Sequence, residues 1–169
     1  MWLRRLAAEH DIASFRSGNS TLDGWLEAAA FTADAKGTAR VYVWPDTGNA
    51  IQGYVAIAPH SLDAGDLPRR LGRGEPAQIP SYLIAKLALD KGLQGRGLGA
   101  ALLSAALEVI IEASDRSGGR YVVVDAIDEK ADSFYRHHGF TATTMPRRLV
   151  LKMSSARKER DPATRAADS

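Results

Sequence analysis

The chain has 169 residues, 45% hydrophobic and 25% charged, enough for one globular domain with a core of its own. A formal charge of +2 and a pI near 9.0 suit an anionic ligand without by themselves pointing to nucleic acid. The absence of cysteine excludes disulfides and thiolate chemistry, the histidines (His10, His60, His137 and His138) show no ligand spacing, and no apolar run has signal-peptide or bilayer length, so the composition predicts a soluble cytoplasmic protein without a metal or a membrane.

In chain order, "LRRLA" predicts a short strand. The segment "FRSGNSTLDGWLEAAAFTADAKG" turns and then shows helical spacing at Leu22, Trp25, Leu26, Ala29 and Ala33. Ser20 with Asp23 reads as a capping box and Gly37 as the exit. "ARVYVW" and "IQGYVAIAP" read as strands around the turn "PDTGNA". Residues 60–80, with Gly65, Gly72, Gly74, Pro68, Pro76 and Pro80, predict a long polar loop, of a length that points to function or mobility.

"YLIAKLALD" has the continuous apolar character of a buried strand. From Gly97 a helix is expected to about Ser114, with a core stripe of Leu98, Leu102, Ala105, Val109 and Ala113. "GGR" ends it and "YVVVDAI" is another buried strand. Asp128 caps a short helix through His138 that Gly139 closes, and "RRLVLKM" is the last strand. A folded domain over residues 1–153 is therefore expected, and a disordered tail over 154–169, which holds no apolar residue larger than alanine. The order of elements describes a single mixed α/β layer.

The stretch "DKGLQGRGLGAALL" opens a helix with Gly95, Gly97 and Gly99, where unpaired amides and the helix dipole suit a phosphate. A Walker loop fails, because Leu98 follows Gly97 where Lys is needed. A dinucleotide loop is a closer rival, since Gly95, Gly97 and Ala100 satisfy GxGxxA and Asp125 ends the next strand. Lys91, Gly92, Leu93 and Gln94 nevertheless separate the turn from its strand, and too little chain follows Asp125 for a second half.

Gln94, Gly95, Arg96, Gly97, Leu98 and Gly99 resemble the Q/R-x-x-G-x-G/A pyrophosphate loop of the GNAT acetyltransferases, and "FYRHHGF" resembles that family's FY…GF signature. The resemblance implies a central mixed, splayed sheet flanked by helices, with acetyl-CoA as co-substrate. Loop residues 94–100, Ala100 included, would take the pyrophosphate, and Leu87, Ala88 and Leu89 would pair with the pantetheine amides. It places Tyr135 near the thioester sulfur as general acid, whereas Phe134 and Phe140 read as packing. A phenol of pKa about 10 can donate to a thiolate whose thiol has a pKa of about 8.5. The residues alone leave Tyr135 open as one more member of a helical core stripe.

"FRSGNSTLDGWLEAAA…GTARVYVW", "GYVAIAP", "IPSYLIAKLALD", "VVVDAIDEKADSFYRHHGF" and "PRRLVLKM" together look like the GNAT toxins of bacterial toxin–antitoxin pairs, which acetylate the α-amino group of aminoacyl-tRNA and stop translation. Arg16-Ser17, and Lys86 in place of a common arginine, depart from that pattern. The resemblance implies a ribbon–helix–helix antitoxin, contact with operator DNA only through the antitoxin complex, and a homodimer. An α-amine of pKa near 8 is already partly neutral at pH 7, which suits a chain without an evident dedicated base. Lys36, Arg40, Arg69, Arg70, Arg73, Arg147 and Arg148 are candidate contacts to tRNA phosphates, each also readable as solvated surface charge. A GNAT acting on a small-molecule or protein amine, and a non-catalytic acyl-CoA-binding module, remain as alternatives.

Overall fold

Asn19, not Ser20, starts the first helix: its side chain accepts from the amide of Leu22 at 3.0 Å. Asp23 turns back to Ser17 instead, accepting from its amide at 3.0 Å and its hydroxyl at 2.6 Å. The computed structural model describes residues 1–160. Its elements in chain order are β1 (Arg4–Arg5), α1 (Ser20–Ala28), α2 (Ala30–Lys36), β2 (Arg40–Pro45), β3 (Ile51–Asp63), α3 (Arg69–Gly72), β4 (Gln78–Leu89), α4 (Leu98–Ser117), β5 (Tyr121–Asp125), α5 (Glu129–His137), β6 (Thr141–Ala142), β7 (Arg148–Lys152) and α6 (Met153–Arg160). The expected single early helix is divided at Ala29, whose φ of −124° leaves helical geometry. Gly37 closes α2 in the left-handed region, as its position predicts.

The strands form one mixed seven-stranded sheet in the order β1-β2-β3-β4-β5-β7-β6. β4 and β5 are parallel, and β5 with β7, β6 with β7, and β2 with β1 and β3 are antiparallel. The chain divides into two compact units, residues 1–58 with 85–106, and residues 59–84 with 107 onward.

In the first unit Leu22, Leu26, Ala30, Val41, Val43 and Tyr54 are buried in one cluster, with Trp25 packed against it. Tyr54 is its hub: Trp25 stacks on the ring at 6.1 Å, Phe15 meets it edge-on at 5.6 Å, and its hydroxyl donates to Leu22 O at 2.7 Å. Burial raises the Tyr54 phenol above its ordinary pKa.

In the second unit the stretch expected as a long polar loop is packed. β3 runs to Asp63, and Leu67 and Leu71 lie against a core of Leu62, Ile79, Tyr121, Val123 and Val150. The Tyr121 hydroxyl donates to Leu71 O at 3.4 Å, and Arg120 pairs with Glu75. Those apolar side chains, spaced among glycines and prolines, are what convert a polar loop into a strap.

Two further expectations are corrected. The buried face of α4 is Leu102, Leu103, Ala106, Leu107, Ile110, Ile111 and Ser114, out of phase with the predicted stripe. The helix is apolar around most of its circumference, so spacing alone does not fix its phase. Residues 153–160 are helical, with Met153 and Ala156 buried and Arg157 donating to Asp115 at 2.5 Å, so the expected tail does not begin at 154. Residues 161–169 lie outside the described residues.

Candidate functional site

β4 outruns its parallel partner. The register runs from Ser81↔Tyr121 to Ile84↔Val124, whereas β4 continues to Leu89. Over residues 85–89 one backbone edge of β4 therefore has no β5 partner among the described residues, and its polar groups are available to an extended ligand. Leu87, Ala88 and Leu89 sit in this stretch. So does Lys86, whose ammonium lies 5.3 Å from the centre of the Trp25 ring and donates to Ala85 O at 3.3 Å.

Asp90 fastens the end of the strand. Its amide donates to Gln52 O at 2.8 Å, and its carboxylate accepts from the amides of Arg16 at 3.1 Å and Gly92 at 2.9 Å. Gln94 then reaches back, its side-chain nitrogen donating to Ser17 O at 2.7 Å and Leu89 O at 2.9 Å. Both N–H groups of that amide are thus spent inside the protein. Gln94 shapes the turn, and only its carbonyl oxygen is left to face a ligand.

Gly95 and Gly97 have φ of 78° and 76°, with Arg96 between them outside the left-handed region. This alternation gathers successive N–H groups into a concavity suited to an anion. α4 begins immediately after, so the amides of Gly97, Leu98, Gly99 and Ala100 lack intrahelical acceptors and carry the positive end of the helix dipole. A Cβ built on Gly95 or Gly97 would meet nothing within 4 Å. The glycines therefore serve the backbone conformation and leave the concavity open.

In the second unit Asp128 caps α5, accepting from the Ala131 amide at 2.8 Å. Tyr135 lies on that helix, 8% exposed, its ring edge-on to Phe134 at 5.2 Å and to Phe140 at 5.3 Å. Burial pushes its phenol well above the ordinary tyrosine pKa. Its hydroxyl makes no hydrogen bond among the described residues. The aromatic neighbours hold the ring by packing alone, and the polar tip is left for something else.

The basic candidates separate by their partners. In the first unit Lys36 ends α2 and Arg40 donates to Asp34 O at 2.7 Å. In the second, Arg69 and Arg70 lie on α3 and Arg73 follows it, on the strap tied to Arg120 and Tyr121. That is the start of β5, whereas α5 follows its other end. Arg148 gives its fork to Asp125, with bonds of 2.8 Å from both Nε and Nη2. Its remaining Nη1 lies 3.4 Å from His60 Nε2. Arg147 has φ of 60°, left-handed backbone that costs a non-glycine residue roughly 1 kcal/mol. The Asp125–Arg148–His60 cluster has no sequence signal, because its members lie far apart in the chain: the β5–β7 register pairs Asp125 with Arg148, and His60 comes from β3.

Among the described residues no group of His, Cys, Asp and Glu could hold a metal ion, and no helix is long and apolar enough to cross a membrane.

Residues 37–142 match the family described as the acetyltransferase (GNAT) domain. The chain belongs to the GNAT acetyltransferase family. One relative of this GNAT chain, a "tRNA-acetylating toxin" of Mycobacterium tuberculosis, is 36% identical over 155 residues, 91% of this chain and 93% of the relative. Another, "Probable toxin TacT" of Sinorhizobium fredii, is 31% identical and covers 88% of each chain.

Solved structures agree with the fold. A tyrosine-to-phenylalanine mutant of KacT superposes with a TM-score of 0.87 at 26% identity, covering 93% of this chain and 97% of that one. AtaT complexed with acetyl-methionyl-tRNAfMet gives 0.85 at 26%, covering 92% and 96%. A tyrosine-to-phenylalanine mutant of AtaT bound to the C-terminus of the antitoxin AtaR and acetyl-CoA gives 0.79 at 25%, covering 92% and 94%.

Proposed function

We propose that this GNAT enzyme transfers the acetyl group of acetyl-CoA to the α-amino group of an aminoacyl-tRNA, blocking translation in the cytoplasm, and that an antitoxin of ribbon–helix–helix type neutralises it. The observation that carries the transfer is the continuous path from the free edge of β4 through the two left-handed glycines to the unpaired amides of α4. The tRNA acceptor is supported by relatives named as tRNA-acetylating and by the tRNA complex of AtaT.

Residues 87–89 would pair with the amides of the pantetheine arm, and the amides of residues 95–100 would hold the pyrophosphate. Arg96, exposed within the turn, would add charge to the same anion. Tyr135 would donate to the sulfur as the thioester breaks. A phenol near 10 is a weaker acid than a thiol near 8.5, and burial of Tyr135 widens that gap. Full transfer is therefore favourable only if the leaving thiolate is desolvated as well, since burial also raises a thiol. Until then the phenol stabilises the thiolate as a hydrogen-bond donor. Lys36, Arg40, Arg69, Arg70, Arg73 and Arg147 are the proposed phosphate contacts, whereas Arg148 serves Asp125 first. We assign the active form as a homodimer and the operator contact to the antitoxin complex.

The test is the fate of labelled acetyl from acetyl-CoA. It is expected on charged tRNA and not on uncharged tRNA. Rapid acetylation of a small amine with none on charged tRNA would keep the acetyltransferase and remove the acceptor.

A further inference from the structure

We propose that Arg147 grips a phosphate of the RNA acceptor, a role that rests on the acceptor reading above. Met145, Pro146, Arg147 and Arg148 form a β-turn closed by the Arg148 amide, which donates to Met145 O at 3.2 Å. Proline in second position fixes φ near −65° there, and the third position has φ of 60°. That combination is a type II turn, whose third position is unstrained only for glycine. Arginine stands in glycine's place.

Nothing local compensates it. The Arg147 guanidinium is exposed and makes no hydrogen bond or ion pair among the described residues. The contrast is Arg148, one residue on, whose fork is closed on Asp125. Asp125 is therefore already satisfied, and Asp128 is occupied capping α5.

The turn is also held still. Arg147 O accepts from the Ala126 amide at 2.9 Å, and the Thr144 amide donates to Asp66 O at 2.9 Å. This seats the turn's backbone beside the chain that leads from β5 to α5, the helix that carries Tyr135. Met145 in the same turn is 47% exposed, and Ile127, which follows Ala126, is 55% exposed. An unpaired guanidinium on a turn that also carries the exposed Met145, and whose backbone bonds the residue before the exposed Ile127, suits a nucleotide, phosphate on the fork and base on an apolar surface. A free inorganic anion has no use for the apolar part. Strain retained at a rigid, exposed position marks a side chain kept for what it binds.

The experiment compares Arg147→Gly and Arg147→Lys with the wild type. It reads melting temperature, acetyl-CoA binding, antitoxin binding, tRNA binding across a salt series, and acetyl transfer to charged tRNA. Arg147→Gly should melt no lower than the wild type, because the turn relaxes. Its tRNA affinity should fall about tenfold and the slope of log K against log salt should become shallower by about one. Arg147→Lys should restore most of that slope, and acetyl-CoA binding should be unchanged in both. Wild-type tRNA affinity and slope in Arg147→Gly would overturn the proposal. Loss of antitoxin binding with tRNA binding intact would overturn it too, giving the guanidinium to a protein partner. If the wild type bound tRNA but did not acetylate it when charged, the acceptor reading would fail separately, and the slope comparison would still decide Arg147.

Discussion

Arg148 holds Asp125 through two bonds of 2.8 Å at the final register pair between β7 and β5, with His60 3.4 Å from the same guanidinium. Burial lowers the pKa of His60, Arg148 lowers it further, and Asp125 opposes them. A histidine depressed in the folded state binds fewer protons there than in the unfolded chain, so its effect is absent above about 6.5 and destabilises as pH falls toward its folded pKa. Denaturant unfolding should show stability rising with pH across that window, and His60→Gln should flatten the rise. Arg148→Leu should raise the pKa of His60 in an NMR titration, because it removes a cation and leaves Asp125 unbalanced. An unmoved titration would mean that the cluster does not act on His60.

Gln94→Ala removes two hydrogen bonds that hold the glycine turn to residues 17 and 89. A stability loss of about 1–2 kcal/mol is expected, together with weaker acetyl-CoA binding. Gln94→Glu should be worse, since a carboxylate would face two carbonyl oxygens. Calorimetry showing full affinity in both variants would assign the turn's shape to its glycines alone.

Gly97→Ala meets no atom within 4 Å and bears only the left-handed φ of 76°. It should cost about 1 kcal/mol and keep the fold. Gly97→Asp should fold comparably but lose the melting-temperature rise given by acetyl-CoA, because its charge repels the pyrophosphate. A retained rise would place the phosphate elsewhere.

Ala156→Asp probes α6. Ala156 is fully buried, so an unpaired carboxylate there should destabilise by about 2–4 kcal/mol. A surface-like effect of a few tenths would return residues 154–160 to the tail.

What was legible in the sequence was what local chemistry dictates. Gly37 ends a helix, Asp128 starts one, and the glycines at 95 and 97 announce left-handed backbone before α4. Those signals also carried the candidate site, since the turn and the Phe134–Tyr135 pair each lie within one short stretch. Contacts between distant residues were not legible. The strap from 64 to 77 reads as polar because, among its residues, only Ala64, Leu67 and Leu71 join the apolar cluster, and the break at Ala29 has neither glycine nor proline to mark it. β6 is too short for a period-two pattern, and Met153 and Ala156 are too few apolar residues to advertise α6. The commitment of Arg148 to Asp125 depends on strand register, which is a property of the sheet.

Tyr135 carries the account. Acetyl transfer to charged tRNA should be measured in a single turnover with the wild type and Tyr135→Phe at matched saturation with acetyl-CoA. The account predicts equal melting temperatures, equal acetyl-CoA binding, and a rate about a hundredfold or more lower in the variant. A Tyr135→Phe enzyme that acetylates charged tRNA at the wild-type rate would contradict it, leaving the hydroxyl without a role and the ring as packing.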